Sequence, residues 1–356
     1  MSLGDFPTRY DRWGRAPAWL LLVILATVLL AAAWPTATSP QPKVRASETE
    51  QSDLDFYRAT IVRVAAGEPY YAAAADELRN GGYPLQPSFT FRLPTLTMIY
   101  AAVPMPLMIA IDALLALAVL LVWWRRLEPV LPLRLLALAM VLLVGGTAAL
   151  VEPVTGLFHE SWAALLMALM IGLRRPGQAT GAMIAGGIAL AVRETVLPMI
   201  LVMACLALFE RRFREALGWT LIVALFALAM FAHVQMVATV VRPDDLASPG
   251  WSGMLGARFA LSAFATVSSA TALPAALAAI AIVLSVFGWL SVACSWALRA
   301  SALLLGYGSM LALFARPDTF YWALLVAPLS LLGLIFVPRA LATLVRSARG
   351  VAQPQP

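Results

Sequence analysis

The sequence predicts an all-α, polytopic membrane protein, and three observations lead there. The 356-residue chain is 62% hydrophobic and only 12% charged, against roughly 25% charged residues in an ordinary soluble domain. Its mean hydropathy is +0.84. Apolar runs of about 20 residues, the length that crosses a bilayer, recur along it. Backbone polar groups find no water inside lipid, so such runs must be helical.

We expect about ten spans in a single transmembrane domain over residues 1–356. The first covers residues 16–34, after Arg9, Arg12 and Arg15. Its basic start resembles a signal peptide's, but its apolar run is long for one. The second span, 105–124, ends in Arg125 and Arg126; the third is 131–151; the fourth, 156–173, ends in Arg174 and Arg175. Residues 180–209 are flanked by arginines at both ends and are read as two short spans meeting near Arg193 and Glu194. The remaining spans are 216–241, 272–298, 300–314 and 321–337.

Orientation follows from where the arginines cluster. Arg125 and Arg126, Arg174 and Arg175, the group Arg211, Arg212 and Arg214, and the group Arg339, Arg346 and Arg349 all mark cytoplasmic helix ends. Both termini are then cytoplasmic, in a plasma (inner) membrane. The net charge of +6 is spread over these clusters and is no nucleic-acid footprint. Cys205 and Cys294 both lie in apolar runs and read as small core residues.

The outer loops are unequal. Residues 35–93 form the long extracytoplasmic loop, starting as a Pro/Thr/Ser/Glu-rich linker up to Gln51. An amphipathic helix follows, with Leu54, Tyr57, Ile61 and Val64 on one face, stopped by Gly67-Glu68-Pro69. A second short helix spans about 71–79 and ends at Asn80-Gly81-Gly82. Both are expected to lie on the outer membrane surface. A further short helix over 95–103 is separated from the second span by Pro104 and Pro106. Residues 242–270 form a second extracytoplasmic element with Asp244, Asp245, Trp251 and Arg258.

Ionisable groups converge on the outer side: Asp53, Asp55, Arg92, Glu152, His159, Glu160, Arg193, Glu194, Arg316 and Asp318. Charge at or in the bilayer is costly, which makes each a functional candidate. Each also has a structural explanation. Ser52 and Asp55 resemble a capping box. Arg92 suits snorkelling to headgroups or clamping a phosphate through bidentate bonds. Arg193 and Glu194 suit an internal salt bridge or a ligand site. His159 is structural or an acid–base group, and with only His233 besides, no histidine-based metal site is present. Asp112, inside the second span, is expected to hydrogen-bond another helix. No nucleotide loop, Ser–His–Asp set or cysteine cluster is found.

The first outer loop reads Asp53-Leu54-Asp55-Phe56-Tyr57, then Ala66-Gly67-Glu68-Pro69-Tyr70-Tyr71, Tyr83-Pro84 and Arg92-Leu93-Pro94. With His159-Glu160-x-Trp162, Arg193-Glu194 and Arg316-x-x-x-x-Tyr321, it resembles the GT-C superfamily of integral-membrane glycosyltransferases, in its bacterial mannosyltransferase-like branches. The 356 residues are fewer than is usual there, and no sizeable soluble C-terminal domain is expected among them. The resemblance implies transfer of a sugar from a polyprenyl-phosphate donor to an extracytoplasmic glycan or lipid acceptor, with inversion. An acidic residue of the first loop, Asp53 or Asp55, is then the catalytic base. Arg92, Arg193 and Arg316 bind the donor phosphate, with His159, Glu160 and Glu194 in support. A divalent metal is optional, and no metal site is visible. Two other classes fit the same sequence: a transporter or flippase for a lipid-linked or anionic substrate, and an inactive GT-C-like assembly subunit.

Overall fold

The computed structural model describes residues 6–34, 53–153 and 155–350. Among these the chain is all-helical, and its extended pairings are three isolated bridges. The linker expected over 35–51 and the Ser52 cap lie outside the described residues.

The chain opens with α1 (Arg15–Ala33) and then forms α2 (Asp53–Ala65), α3 (Tyr70–Asn80) and α4 (Pro94–Ala102). Pro94 stands in the first turn of α4, where its missing N–H costs nothing. Next come α5 (Met105–Leu127), α6 (Leu133–Thr147), α7 (His159–Leu173), α8 (Thr180–Val192) and α9 (Leu197–Phe209). After them run α10 (Phe213–Ala238), α11 (Gly256–Thr266), α12 (Ala275–Ser291), α13 (Ser295–Phe314), α14 (Ala327–Ser330) and α15 (Val337–Arg349). Among the described residues six helical stretches are long and apolar enough to cross a membrane: Arg15–Ala33, Met105–Leu127, Leu133–Val151, Phe213–Ala238, Ser295–Phe314 and Pro317–Arg349.

Burial divides them. The long helices α1, α5 and α10 are mostly exposed, with Leu217, Leu221, Leu225 and Leu228 of α10 facing outward, as a lipid-facing surface requires. In α7 every residue except Leu169 and Leu173 is buried. A helix apolar all round belongs in the centre, and α7 packs on α5, α8 and residues 317–326. Close backbone approach locks the far side. A Cβ on Gly288 of α12 would collide with the Gly333 carbonyl, so only glycine fits there.

The stretch 180–209 is broken as its arginines predict. Arg193 is extended (φ −144°, ψ 117°) and ends α8, and a three-residue 3-10 turn, Glu194–Val196, leads into α9. The outer-loop helices differ from expectation in their partner. The apolar face of α2 is turned onto protein: Phe56 and Tyr57 pack with Tyr70, Leu78, Leu85, Phe91 and Val237 in a small core of their own. Residues 242–255 run beside the 85–86 segment, where Leu85 N donates to Leu246 O at 2.8 Å and Ser248 N to Gln86 O at 2.7 Å. The α11 helix that follows packs into the bundle against α12 and α13, with Phe259 and Ala263 fully buried.

At the bundle end opposite α2, buried charges tie the ends of α7 and α9 to α10 and α13. Arg174, 1% exposed, donates to Glu215 at 2.9 and 3.0 Å and also holds Glu210. Arg299, fully buried, donates to Glu210 at 2.9 Å. Arg126 covers the C-terminus of α7, donating to Gly172 O at 2.6 Å, where a cation complements the helix dipole.

Candidate functional site

A cavity of about 940 Å³ opens at the α2 end of the bundle. It is walled by the start of α2, the chain around residues 82–92, the break at 193–195, residues 248–251 and residues 316–322. The fold thus brings five distant segments to one space. Of the residues singled out by sequence, Asp53, Arg92, Arg193, Glu194, Arg316 and Asp318 line it.

Asp53 is the first residue of α2, and its Oδ1 accepts a hydrogen bond from the Tyr83 hydroxyl at 2.7 Å. Asp55 stands apart from the cavity lining: its side chain is 56% exposed and lies 3.9 Å from Arg58 one turn on. The helix explains the difference, since positions two apart project about 200° from each other.

The three arginines are not equivalent. Arg193, 2% exposed, lies 2.7 Å from the buried Glu160 of α7 and is also paired with Glu194. It is thus committed to two carboxylates. Arg316 is paired with Asp318 at 3.2 Å and reaches Ser248 Oγ and Gly250 O at 3.4 Å. Arg92 is different. Its Nε donates to the Tyr57 hydroxyl at 3.2 Å and its Nη2 to the Tyr321 hydroxyl at 3.1 Å, while the Tyr70 hydroxyl anchors its backbone carbonyl at 2.7 Å. Among the described lining residues it is the arginine bonded to hydroxyls rather than carboxylates. Burial pushes the Tyr57 phenol up, against the nearby Arg92 guanidinium; the phenol therefore keeps its proton while accepting from Arg92.

Glu160 and His159 sit behind the wall. Glu160 is fully buried and supports Arg193. His159, 2% exposed, packs its ring against Tyr57 with centroids 5.3 Å apart. Glu152 is not among the lining residues. Asp112 is 4% exposed, and its Oδ1 has no hydrogen-bond partner in the protein.

No family model, curated protein or solved structure matches the chain. The site's chemistry is therefore argued from its own residues. A guanidinium with hydroxyl partners suits an anion, since phosphate oxygens can take bonds that the tyrosines now accept. A carboxylate in the same cavity can take a proton. Among the described residues no three His, Cys, Asp or Glu side chains converge as a metal site requires.

Sequence reasoning gave no site role to Tyr57, Tyr83, Tyr321 and Trp322, all of which line the cavity. Tyr321 and Trp322 follow Arg316-Pro317-Asp318 and read there as an interfacial aromatic belt. The signal that marks them out is proximity to charge in the fold, which a linear pattern does not carry.

Proposed function

We propose that the chain is a GT-C-type membrane glycosyltransferase. It moves a sugar from a polyprenyl-phosphate donor to an extracytoplasmic acceptor hydroxyl, with inversion. The observation that carries this reading is the lining of one cavity by both Asp53 and Arg92, a carboxylate and a guanidinium with hydroxyl partners. Arg92 holds the donor phosphate, with Arg316 nearer the rim, and Arg193 braces the wall through its two carboxylates. The acceptor oxygen attacks the anomeric carbon, the bond from that carbon to the phosphate oxygen breaks, and the acceptor proton goes to Asp53. Arg92 stabilises the charge left on the phosphate.

In this reading the protein crosses a plasma (inner) membrane about ten times. The six long stretches supply part of that count, and the shorter apolar helices His159–Leu173, Thr180–Val192, Glu194–Phe209 and Ala275–Ser291 supply the rest. The α2 end faces outward and both termini are cytoplasmic, as the arginine clusters favour. A second reading, a carrier for a lipid-linked substrate, draws support from the break between α8 and α9.

The test is transfer of labelled sugar from a panel of polyprenyl-phosphate donors by the purified chain in proteoliposomes. Asp53→Asn keeps shape and removes the base, so transfer should fall about 10²–10⁴-fold with donor binding retained. Arg92→Gln should weaken donor binding itself. Full transfer by Asp53→Asn sinks the mechanism, and movement of the lipid-linked sugar across the bilayer without transfer selects the carrier.

A further inference from the structure

We infer that Glu194, Thr195 and Trp322 form a subsite that reads the hydroxyl groups of a sugar ring. All three line the cavity. Glu194 Oε2, Thr195 Oγ1 and Trp322 Nε1 are each buried and have no hydrogen-bond partner in the protein. Buried polar atoms in native proteins are almost always paired, so unpaired ones on residues that line one cavity call for a ligand. Other buried indoles show the contrast. Trp123, Trp162 and Trp289 donate to the carbonyls of Ala168, Gly156 and Leu329 at 2.8–3.1 Å. Trp219 Nε1 also lacks a partner, but it lies outside this cavity's lining.

The fold holds the three groups in place. Glu194 and Thr195 occupy the turn between α8 and α9. The other oxygen of Glu194 is taken by Arg193, and the Thr195 carbonyl accepts from the Tyr307 hydroxyl at 2.6 Å. Trp322, 8% exposed, sits in the 3-10 stretch packed on α7.

Their chemistry selects the ligand. Glu194 Oε2 only accepts, Trp322 Nε1 only donates, and Thr195 Oγ1 does both. A group that donates and accepts at adjacent positions satisfies all three, and vicinal hydroxyls do so. An ionised phosphodiester has no proton to give Glu194 and is repelled by it, and an alkyl chain leaves all three unpaired. The aromatic wall agrees: Phe158 and Tyr321 are stacked with centroids 6.1 Å apart, and Phe320 and Trp251 line the same space. Such rings suit the C–H face of a neutral sugar. The assignment rests on the reading that the cavity takes a lipid-linked sugar, and it names the residues that choose the sugar.

The experiment uses the full chain in lipid nanodiscs, titrated with methyl pyranosides and furanosides and, separately, with inorganic phosphate. At least one glycoside should bind saturably. Glu194→Gln should raise its Kd about 10–100-fold, and Thr195→Val and Trp322→Phe, which keep shape, by several-fold to about tenfold. A deoxy analogue lacking the matched hydroxyl should bind these variants and the parent alike. Arg92→Gln should weaken phosphate binding and spare the glycoside. Absence of saturable glycoside binding, or unchanged affinity in all three variants, overturns the subsite. Variant-sensitive sugar binding without any transfer leaves the subsite standing and removes the transferase reading; transfer that ignores all three substitutions does the reverse.

Discussion

Replacing Arg193 should damage the fold before it damages ligand binding. The side chain is 2% exposed, and its two partners, Glu160 and Glu194, are 0% and 16% exposed. Arg193→Met fills similar space but leaves both carboxylates without their cation. Removing one partner of a buried ion pair costs about 3–5 kcal/mol. Two carboxylates share the loss here, so the upper part of that range is expected. Adding Glu160→Gln and Glu194→Gln removes the stranded charge, and the triple variant should recover most of the stability, because neutral groups of similar volume often replace a buried ion cluster at little loss. The assay is unfolding of the purified protein in mixed micelles titrated with denaturing detergent. A cost below about 1 kcal/mol for Arg193→Met, or no recovery in the triple variant, refutes the claim that Arg193 is a structural brace.

Further outcomes follow from other contacts. The Arg79 side chain beside Asp245, at 2.7 Å, holds that carboxyl down at about 2 against the usual 3.8. A depressed folded-state value means the clasp contributes fully above the usual value and is lost as pH falls through about 2. Hydrogen-exchange protection of residues 242–251, taken relative to the intrinsic exchange rate at each pH, should fall across that window, and Asp245→Asn should remove that fall. Gly288→Ala should destabilise by about 1–3 kcal/mol through overpacking, whereas Gly187→Ala, with open space around its added Cβ, should not; thermal unfolding of both variants checks this. With Cys205 and Cys294 replaced by Ser, an impermeant thiol reagent applied to intact cells should label Asn80→Cys and spare Gln178→Cys, two exposed positions at opposite ends of the bundle. The converse pattern inverts the proposed orientation.

Much of the helical plan was legible in the residues, because apolar length and arginine flanks are local signals. The break at Arg193 was readable for that reason. The burial of α11 was not, since residues 242–270 carry enough charge and turn chemistry to read as an outer element while Phe259, Ala263 and Phe264 supply a buried face. The docking of α2 onto protein was also hidden: an amphipathic stripe shows that a face is covered, not by what. Within the site, sequence pointed to Asp53, Arg92, Arg193 and Arg316 as a group, and all four line one cavity. It did not separate their environments. That Arg193 meets Glu160 of α7 while Arg92 meets two tyrosines is a property of tertiary packing, and no spacing rule encodes it.

The buried charges at the other end of the bundle bear on how the chain is assembled. Synthesis delivers segments in order, N-terminal first. Arg174 emerges at the end of α7 before either of its carboxylates. Glu210 and Glu215 arrive with the connection from α9 to α10, so Arg174 can be neutralised as soon as that hairpin enters the membrane. The second cation on Glu210, Arg299, waits for α13. A truncated chain ending before α13 therefore keeps its first ion pairs but lacks the clamp between Glu210 and the later helices. The order of the charges along the sequence makes α13 the segment that completes this ion-pair cluster.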